Sequence, residues 1–379
     1  MSEDSGPERG LEQLERWWGG AGDRPRHPFA TPLWLRTWWE CFGNGGPLRV
    51  ATVPDGSARP LALLPVCADR ERAYGIPLAR VGAPWNPHTP RIGLLLEDGR
   101  EPACEALWRR LRDGEGRWDV LRLCQIPPED AAAAHRIVRL ASADGFLVGR
   151  WTSEASPYVP MRGSFEEYQA GLSSKFRSNL RRRRRLLEEL GEVGLETVDG
   201  AHGREHLDRA LADAFRLEGA AWKERAGTAI GSHPNETGFY RLLAHRAAES
   251  GWLRLRFLTV AGHRVAVNYS LLYGNKLYFL KGGYHPDVAR CSPSNLLLHL
   301  ILRDAHEQRL AEVDLLGGAE PWKRPWTSHQ RPHEWIFIYR PSVRTRLVHR
   351  LKFGVAPRLR AALGERSGAP SLACSTAAP

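Results

Sequence analysis

The stretch from residue 276 to 326 carries most of the side chains and loops that could support a chemical reaction. Two adjacent glycines, Gly282 and Gly283, end an apolar run, and the polar segment RCSPSN follows at 290–295. Adjacent glycines allow a ligand to approach the backbone closely, or form a β-bulge without one. Serine and asparagine favour helix N-caps, and the free N–H groups of a helix start can bind an anion. The segment therefore predicts either a plain helix cap or an anion site.

Four side chains within residues 276–326 are candidates to donate or accept a proton. They are Tyr284, His285, Asp314 and Glu320. Asp314 stands inside the apolar run VDLL, where a buried carboxylate is costly unless it is paired. It therefore predicts either a catalytic group or an anchor for a nearby cation. A general base is identified by geometry before pKa, so the pattern names candidates only.

The strongest charge feature is a run of five arginines at 181–185. Successive helical residues point in different directions, so at least one of Arg183 and Arg184 falls on the apolar stripe of Phe176 and Leu187. Such a residue needs an acidic partner or a bound anion. No aromatic RNA motif or zinc finger accompanies the run, which disfavours nucleic acid relative to an anionic substrate or cofactor.

Composition sets the frame for these residues. A chain of 379 residues is long for one core and predicts two domains, while the net charge of +11 predicts an anionic partner. Six cysteines without CxxC spacing indicate reduced, mostly buried thiols and no structural zinc. No signal peptide or long apolar run is present, which predicts a soluble cytoplasmic protein, with peripheral membrane contact left open.

The predicted elements divide the chain into two similar halves. The first reads as a helix over 29–43, two hairpin strands around PDGSARP, a helix and a buried strand. The second repeats that order with a three-strand meander, a helix over about 294–309 and the strand EVDLLGG; the strand EWIFIYR is assigned to it too. The predicted parts are a flexible tail (1–25), an N-terminal domain (26–155), a C-terminal domain (156–345) and a helix with a disordered tail (346–379).

Several segments, in their order and spacing, resemble the GNAT acyltransferase superfamily. They include KFRSNLRRRRRLLEELG, LEGAAWKERAGTAI, YFLKGGYHPDVARCSPSNLLL and VDLLGGAEPWKRPW. Within the superfamily they are similar to the CelD-type acetyltransferase domain of cellulose biosynthesis, which is related to the FemAB peptidyltransferases. FATPLWLRTWWECFG resembles the family's N-terminal half. The resemblance implies an α+β (mixed α/β) fold class: tandem GNAT-like folds, each a mostly antiparallel central sheet flanked by helices, the first a degenerate copy that shapes the acceptor cleft.

The resemblance also implies roles for individual residues. Acetyl-CoA or another acyl-CoA would bind where two strands splay apart, and a backbone amide of YFLKGGY would polarise the acyl carbonyl. Ser294 stands where the family's phosphate loop has glycine, and no metal is implied. The implied catalytic residues are Tyr284, Asp314 and Glu320; the cofactor-binding residues are Leu280, Lys281, Gly282, Arg290, Ser292, Ser294, Asn295 and Leu296; the substrate-binding residues are Trp222, Lys223, Lys323 and Arg184.

Three functions remain open at this point. The first is an acyl-CoA-dependent N- or O-acyltransferase that acts directly on an amine or hydroxyl of a sugar, polysaccharide precursor or amino compound. The second is a FemAB-like aminoacyl-tRNA-dependent transferase, in which the arginine run would contact tRNA. The third is a non-catalytic binding protein with a GNAT fold, suggested by Ser294 in the glycine position.

Overall fold

The chain forms two compact units. The computed structural model describes residues 12, 14, 15, 25–43, 48–54, 60–93, 95–96, 101–114, 116–220 and 233–362. The first unit comprises residues 1–155 and 331–379, and the second comprises residues 156–330. Each unit is built on a seven-stranded, mostly antiparallel sheet with helices packed against it. This confirms the predicted α+β class with a central sheet in each half.

The strands divide between the two sheets. In chain order they are β1 (Arg49–Pro54), β2 (Pro60–Ala73), β3 (Ile76–Gly82), β4 (Leu95–Leu96), β5 (Val120–Ile126), β6 (Leu147–Thr152), β7 (Ser156–Pro160), β8 (Val193–Val198), β9 (Leu253–Val260), β10 (His263–Tyr273), β11 (Lys276–Tyr284), β12 (Glu312–Asp314), β13 (Gln330–Arg331) and β14 (Glu334–Tyr339).

The helices follow the same chain order. They are α1 (Pro32–Phe42), α2 (Glu101–Gly114), α3 (Pro128–Ala143), α4 (Phe165–Gly171), α5 (Ser174–Glu188), α6 (Arg204–Gly219), α7 (Pro234–Glu249), α8 (Pro293–Glu307), α9 (Val343–His349) and α10 (Ala356–Ala362). A 3₁₀ turn over Pro286–Cys291 precedes α8, and a π-helical segment over Arg350–Val355 joins α9 to α10. None of these described helices has the length and apolar content needed to cross a membrane.

The first sheet has the strand order β1-β2-β3-β5-β14-β6, with β4 beside β2. The predicted helix near 29–43 is α1, where the Thr31 side chain accepts a bond from Trp34 N. The predicted hairpin is β1 with β2, but β2 is longer than expected. It turns at Tyr74 and Gly75, both with positive φ, into β3, a strand that the sequence analysis did not predict.

The strand EWIFIYR lies in the first unit, which corrects its assignment to the second half. As β14 it lies between β5 and β6 and pairs antiparallel with both. Its side chains alternate between two apolar layers, with Ile336 and Ile338 on one side and Trp335 and Phe337 on the other. The second unit therefore ends near residue 330 rather than 345, and α9 and α10 belong to the first unit.

The second sheet has the order β13-β7-β12-β11-β10-β9-β8. Its centre is the predicted meander, and both predicted turns occur. Ala261 and Gly262 form the first, and Gly274 and Asn275 form the second, all with the positive φ of tight hairpin turns. Helices α4, α5 and α8 pack on one face, where Leu297, Ile301 and Ala305 meet the sheet, while α6 and α7 cover the opposite face.

Candidate functional site

A gap opens along one edge of β11 in the second sheet. Parallel pairing between β11 and β12 covers only three residue pairs and ends where Tyr278 faces Asp314. Strand β11 continues to Tyr284, whereas the chain after β12 follows β7, since Leu315 N donates to Pro157 O at 3.0 Å. The two strands therefore diverge beside the segment from which cofactor-binding residues were predicted.

The backbone of β11 is irregular at this gap. Tyr269 faces Lys281 and Ser270 faces Phe279, so Leu280 is an extra residue that forms a β-bulge. Asn268, buried on β10, directs its side-chain Nδ2 to the carbonyl of Lys281 at 3.5 Å. The bulge turns the backbone of β11 two residues after its pairing with β12 has ended.

The two glycines of β11 have different surroundings. A Cβ at Gly283 would lie 2.3 Å from the carbonyl oxygen of Leu217, at the end of α6. A Cβ at Gly282 would meet only the carbonyl oxygen of Val267, at 3.2 Å. Gly283 therefore serves the close approach of a helix, and Gly282 is the glycine beside the gap.

The loop after β11 leads into α8 through Ser292, which has a left-handed conformation with φ of 47°. Ser292 O accepts from Asn295 N at 3.0 Å and Leu296 N at 3.2 Å, while its hydroxyl does not cap the helix. The amide of Ser294 has no acceptor among the described residues. The Ser294 and Arg290 side chains are exposed, and Arg290 forms no ion pair within the described chain. These groups are available to an anion.

Arg183, on α5, holds this loop in place. Its Nη1 donates to Arg290 O at 3.1 Å and also to the Ser292 hydroxyl. Arg184 instead points to solvent and pairs with Glu188 at 2.7 Å. The sequence analysis expected one of these two arginines to need an acidic partner or a bound anion. That arginine is Arg183, and its partners are oxygen atoms of the loop.

Trp326 connects the turn after β12 to the start of α8. Its Nε1 donates to Asn295 Oδ1 at 3.2 Å, its ring meets Phe176 edge-on at 4.8 Å, and Tyr168 donates to its carbonyl at 2.9 Å. Sequence analysis quoted the motif GGAEPWKRPW but did not single out this residue. The sequence signal is a large aromatic residue within a turn rich in Pro and Gly, because the indole of a tryptophan usually packs and its N–H usually finds a partner.

The charged residues at this turn are held by contacts within the turn. Lys323 is only 4% exposed; its Nζ donates to Leu316 O at 2.6 Å and Gly318 O at 3.1 Å and pairs with Glu320 at 2.5 Å. Asp314 is fully buried and accepts from Leu316 N at 3.0 Å. Since an ammonium has three donors, these contacts fill the capacity of Lys323. Lys323 was predicted to bind substrate. In the structure its contacts stabilise the turn.

The three residues predicted to be catalytic do not converge. Tyr284 packs against the α8 face of the sheet, as does Val313, the neighbour of Asp314. Asp314 must therefore face the opposite side, next to Tyr278. Tyr284 lies six positions after Tyr278 along β11, roughly 20 Å at about 3.3 Å per residue. One acceptor cannot contact both groups, and Glu320 is exposed on the turn.

The other predicted residues are placed as follows. Leu296 is buried in the core beneath α8, and the Lys281 ammonium lies 5.3 Å from the ring centre of Tyr240. Cys291 is a buried thiol in the same core as Leu296. Trp222 and Lys223 lie outside the described residues.

Burial dominates the electrostatics around the sheet. It raises the pKa of the Tyr240 and Tyr269 phenols well above their usual range, and Tyr269 donates to Tyr240 O at 3.1 Å. On α8, burial and then the charges of Arg303 and Arg184 lower the pKa of His299 to about 4. These groups are neutral near pH 7. Within the described ranges, no group of three or more His, Cys, Asp or Glu side chains could hold a metal ion.

Comparison with known proteins agrees with this geometry. Residues 174–324, which contain the gap, the loop and the turn, match the sequence profile of the acetyltransferase (GNAT) domain family. A search of curated proteins found no match to the chain.

Solved structures share the two-unit fold. The crystal structure of FemX superposes with a TM-score of 0.58 at 12% identity, covering 93% of this chain and 99% of that one. L-PGS from Bacillus licheniformis gives a TM-score of 0.52 at 16% identity, with coverage of 93% and 99%. At these identities the likeness shows the fold, and it spans nearly the whole of both chains.

Proposed function

We propose that the second unit is a GNAT-type acyltransferase of the CelD type that takes an acyl group from acyl-CoA and transfers it directly to an amine or hydroxyl. The acceptor class is a sugar, a polysaccharide precursor or an amino compound. The observation that carries the proposal is the gap where β11 continues beyond β12, with a bulge at Leu280 and the start of α8 beyond the end of β11.

The residues at this gap fit the chemistry of an acyl-CoA. Ser294 offers a hydroxyl and an amide without an acceptor among the described residues, and Arg290 offers a cation without an ion pair among them, which together suit a pyrophosphate at a helix N-terminus. Arg183 and Trp326 position this loop and do not themselves need to touch the ligand. The thioester supplies an activated carbonyl, and backbone amides of residues 280–282 are the groups proposed to polarise it.

Among the proposed catalytic residues, Tyr284 has the best position to handle the acceptor proton. It is half-buried and lies on the part of β11 that extends beyond β12. Asp314 and Glu320 would act through the turn, which they hold together with Lys323.

Calorimetric titration with acetyl-CoA tests this proposal, with Ser294→Asp and Ser294→Ala as a matched pair. A carboxylate in the first turn favours the helix but repels a phosphate, so Ser294→Asp is expected to bind at least tenfold more weakly without loss of stability. Ser294→Ala keeps the amide and should bind nearly as the wild type does. Equal binding by both variants, or none by the wild type, would contradict an acyl-CoA site at this loop.

A second candidate is aminoacyl transfer from a charged tRNA. Arg181, Arg182 and Arg185 are exposed on α5 and form no ion pair with described residues, so their charge is available to a large polyanion. One further structure of similar fold is assigned to a lysylphosphatidylglycerol synthetase, a name that implies aminoacyl transfer.

Replacing Arg181, Arg182 and Arg185 together by glutamine separates the two candidates. If tRNA is the donor, the variant loses affinity for tRNA and the steep salt dependence of binding falls. If acyl-CoA is the donor, the variant binds acetyl-CoA as the wild type does. A protein that binds neither donor would be assigned the non-catalytic role.

A further inference from the structure

The C-terminal helical segment, α9 through α10, exposes an unusual row of apolar side chains. Val343, Leu347, Val355 and Leu359 are 83, 49, 38 and 58% exposed. Among the described residues only seven large hydrophobic side chains are so exposed, and these are four of them. With half-buried Leu351 between them, they recur at every fourth position. The outer face of a surface helix is normally polar, so this row needs an explanation.

The row is not the face that packs against the protein. The inner face is formed by Thr345, Val348, His349 and Phe353; His349 bonds Val148 O at 2.9 Å, and the Phe353 ring lies where a Cβ on Gly149 would be. Residues four apart drift by roughly 40° on an α-helix of about 100° per residue. The wider π-helical turn over Arg350–Val355 offsets that drift and keeps the row on one side.

The charges beside the row have one sign. From residue 335 to 364 the sequence has no aspartate or glutamate, but it has six arginines and a lysine. Arg346, Arg350 and Arg358 are exposed and form no ion pair within the described chain. Basic residues that flank an exposed apolar row complement a surface that is apolar in depth and anionic at its boundary.

We propose that α9, the π-helical segment and α10 form an interfacial helix that binds an anionic lipid membrane surface. From Val343 to Leu359 the row spans about 24 Å at about 1.5 Å per residue, enough for the helix to lie in the plane of the headgroups. RNA would use the arginines but gain nothing from four exposed aliphatic side chains. The inference is independent of the acyl donor, and it would bring the protein to a lipid or a lipid-borne substrate.

Vesicle flotation tests the proposal. The full chain is mixed with vesicles of phosphatidylcholine alone or of an equimolar mixture with phosphatidylglycerol. We expect binding to the anionic vesicles only, with an affinity that falls as salt rises. Leu347→Glu with Val355→Glu should reduce the partition coefficient about 100-fold, since each substitution removes one aliphatic side chain that would be buried in the membrane. Glutamine at Arg346, Arg350 and Arg358 should reduce it by a similar factor, about fivefold per arginine.

Leu190→Glu is the matched control, because Leu190 is 47% exposed but lies in the second unit. It should bind vesicles as the wild type does, and thermal unfolding should show all variants folded. Equal binding to both vesicle types, no binding at all, or an unchanged Leu347→Glu, Val355→Glu variant would overturn the proposal. Tight binding of single-stranded RNA that is lost when Arg346, Arg350 and Arg358 are replaced by glutamine, but survives Leu347→Glu with Val355→Glu, would instead assign the helix to nucleic acid.

Discussion

The two units contain the same local pattern, a pair of parallel strands joined through a helix, yet the two pairs overlap at different positions. In the first unit β3 pairs with β5 through its last residues, Arg80 to Gly82, and ends there. In the second unit β11 pairs with β12 through its first residues, Lys276 to Tyr278, and continues beyond the pairing. The contrast shows that the position at which two parallel strands overlap decides whether the first strand ends with the pairing, as β3 does, or extends beyond it, as β11 does.

A glycine in each pair has surroundings that reflect this difference in strand overlap. A Cβ at Gly82 would lie 2.3 Å from the backbone oxygen of Arg122 on the neighbouring parallel strand. At Gly282 the nearest contact would be 3.2 Å away, to the antiparallel neighbour β10, and none is recorded toward β12. Gly82 allows β3 and β5 to lie close together. Gly282 lies on the part of β11 that is no longer paired with β12.

The largest expected effect comes from Gly82→Ala. The added methyl group meets backbone atoms of β5 that cannot move cheaply, so we expect the free energy of unfolding to fall by about 3 kcal/mol. Gly282→Ala should cost less than about 1 kcal/mol, because its contact is looser. Urea denaturation followed by tryptophan fluorescence measures both. Similar losses for the two variants would mean that the pairs do not differ as described.

Lys323→Met tests the turn that carries the chain away from β11. Removing the ammonium leaves the carbonyls of Leu316 and Gly318 without their donor, so unfolding should become easier by about 2 kcal/mol. The same denaturation experiment measures it. Arg324→Gln is the control, since Arg324 is exposed, and it should change little. A stable Lys323→Met protein with impaired acceptor binding would favour the substrate-binding role predicted from sequence.

His299 provides a pH test of the second unit. Its pKa is lowered from 6.5 to about 4 by burial and then by Arg303 and Arg184, so the unfolded chain binds more protons between these values. Stability from this group is fully present above pH 6.5 and is lost as pH falls toward 4, by roughly 1–2 kcal/mol between pH 7.5 and 5. His299→Gln should remove that loss. Hydrogen exchange should locate the wild-type effect in α8 rather than α2, which has no histidine.

The smallest effects separate the two adjacent arginines. Arg184→Gln removes an exposed ion pair and should change stability by less than about 0.5 kcal/mol. Arg183→Gln removes two bonds to the loop before α8 and should cost about 1 kcal/mol. Thermal unfolding gives both values. An equal response would show that the loop does not depend on Arg183.

Local patterns in the sequence predicted the elements around the site well. Alternating apolar residues and Gly-Asn or Ala-Gly turns gave the meander β9 to β11, and Ser-Pro-Ser-Asn gave the start of α8, because both depend on neighbours in the chain. The strand β14 was assigned to the wrong unit because an apolar strand fits any sheet. Its partners β5 and β6 are about 200 residues distant, and short-range patterns contain no information about them.

The same distinction applies within the site. The residue types at the loop indicated either a helix cap or an anion site. Which arginine holds the loop depends on the direction of each side chain around α5, where a difference of one residue moves the side chain by about 100°. Sequence analysis could not decide whether Lys323 stabilises the turn or contacts a ligand. That distinction rests on burial and on the carbonyls of Leu316 and Gly318.

The return of the chain to the first sheet has a consequence for biosynthesis. Because β14 lies between β5 and β6, the first unit cannot complete its sheet until residues 334–339 have emerged from the ribosome, and the whole second unit emerges before them. The usual order, in which the N-terminal domain folds first on the ribosome, is therefore reversed here. A nascent chain whose first 330 residues have emerged from the ribosome would present a complete second unit attached to a first unit in which β5 and β6 still lack β14, the strand that pairs with both.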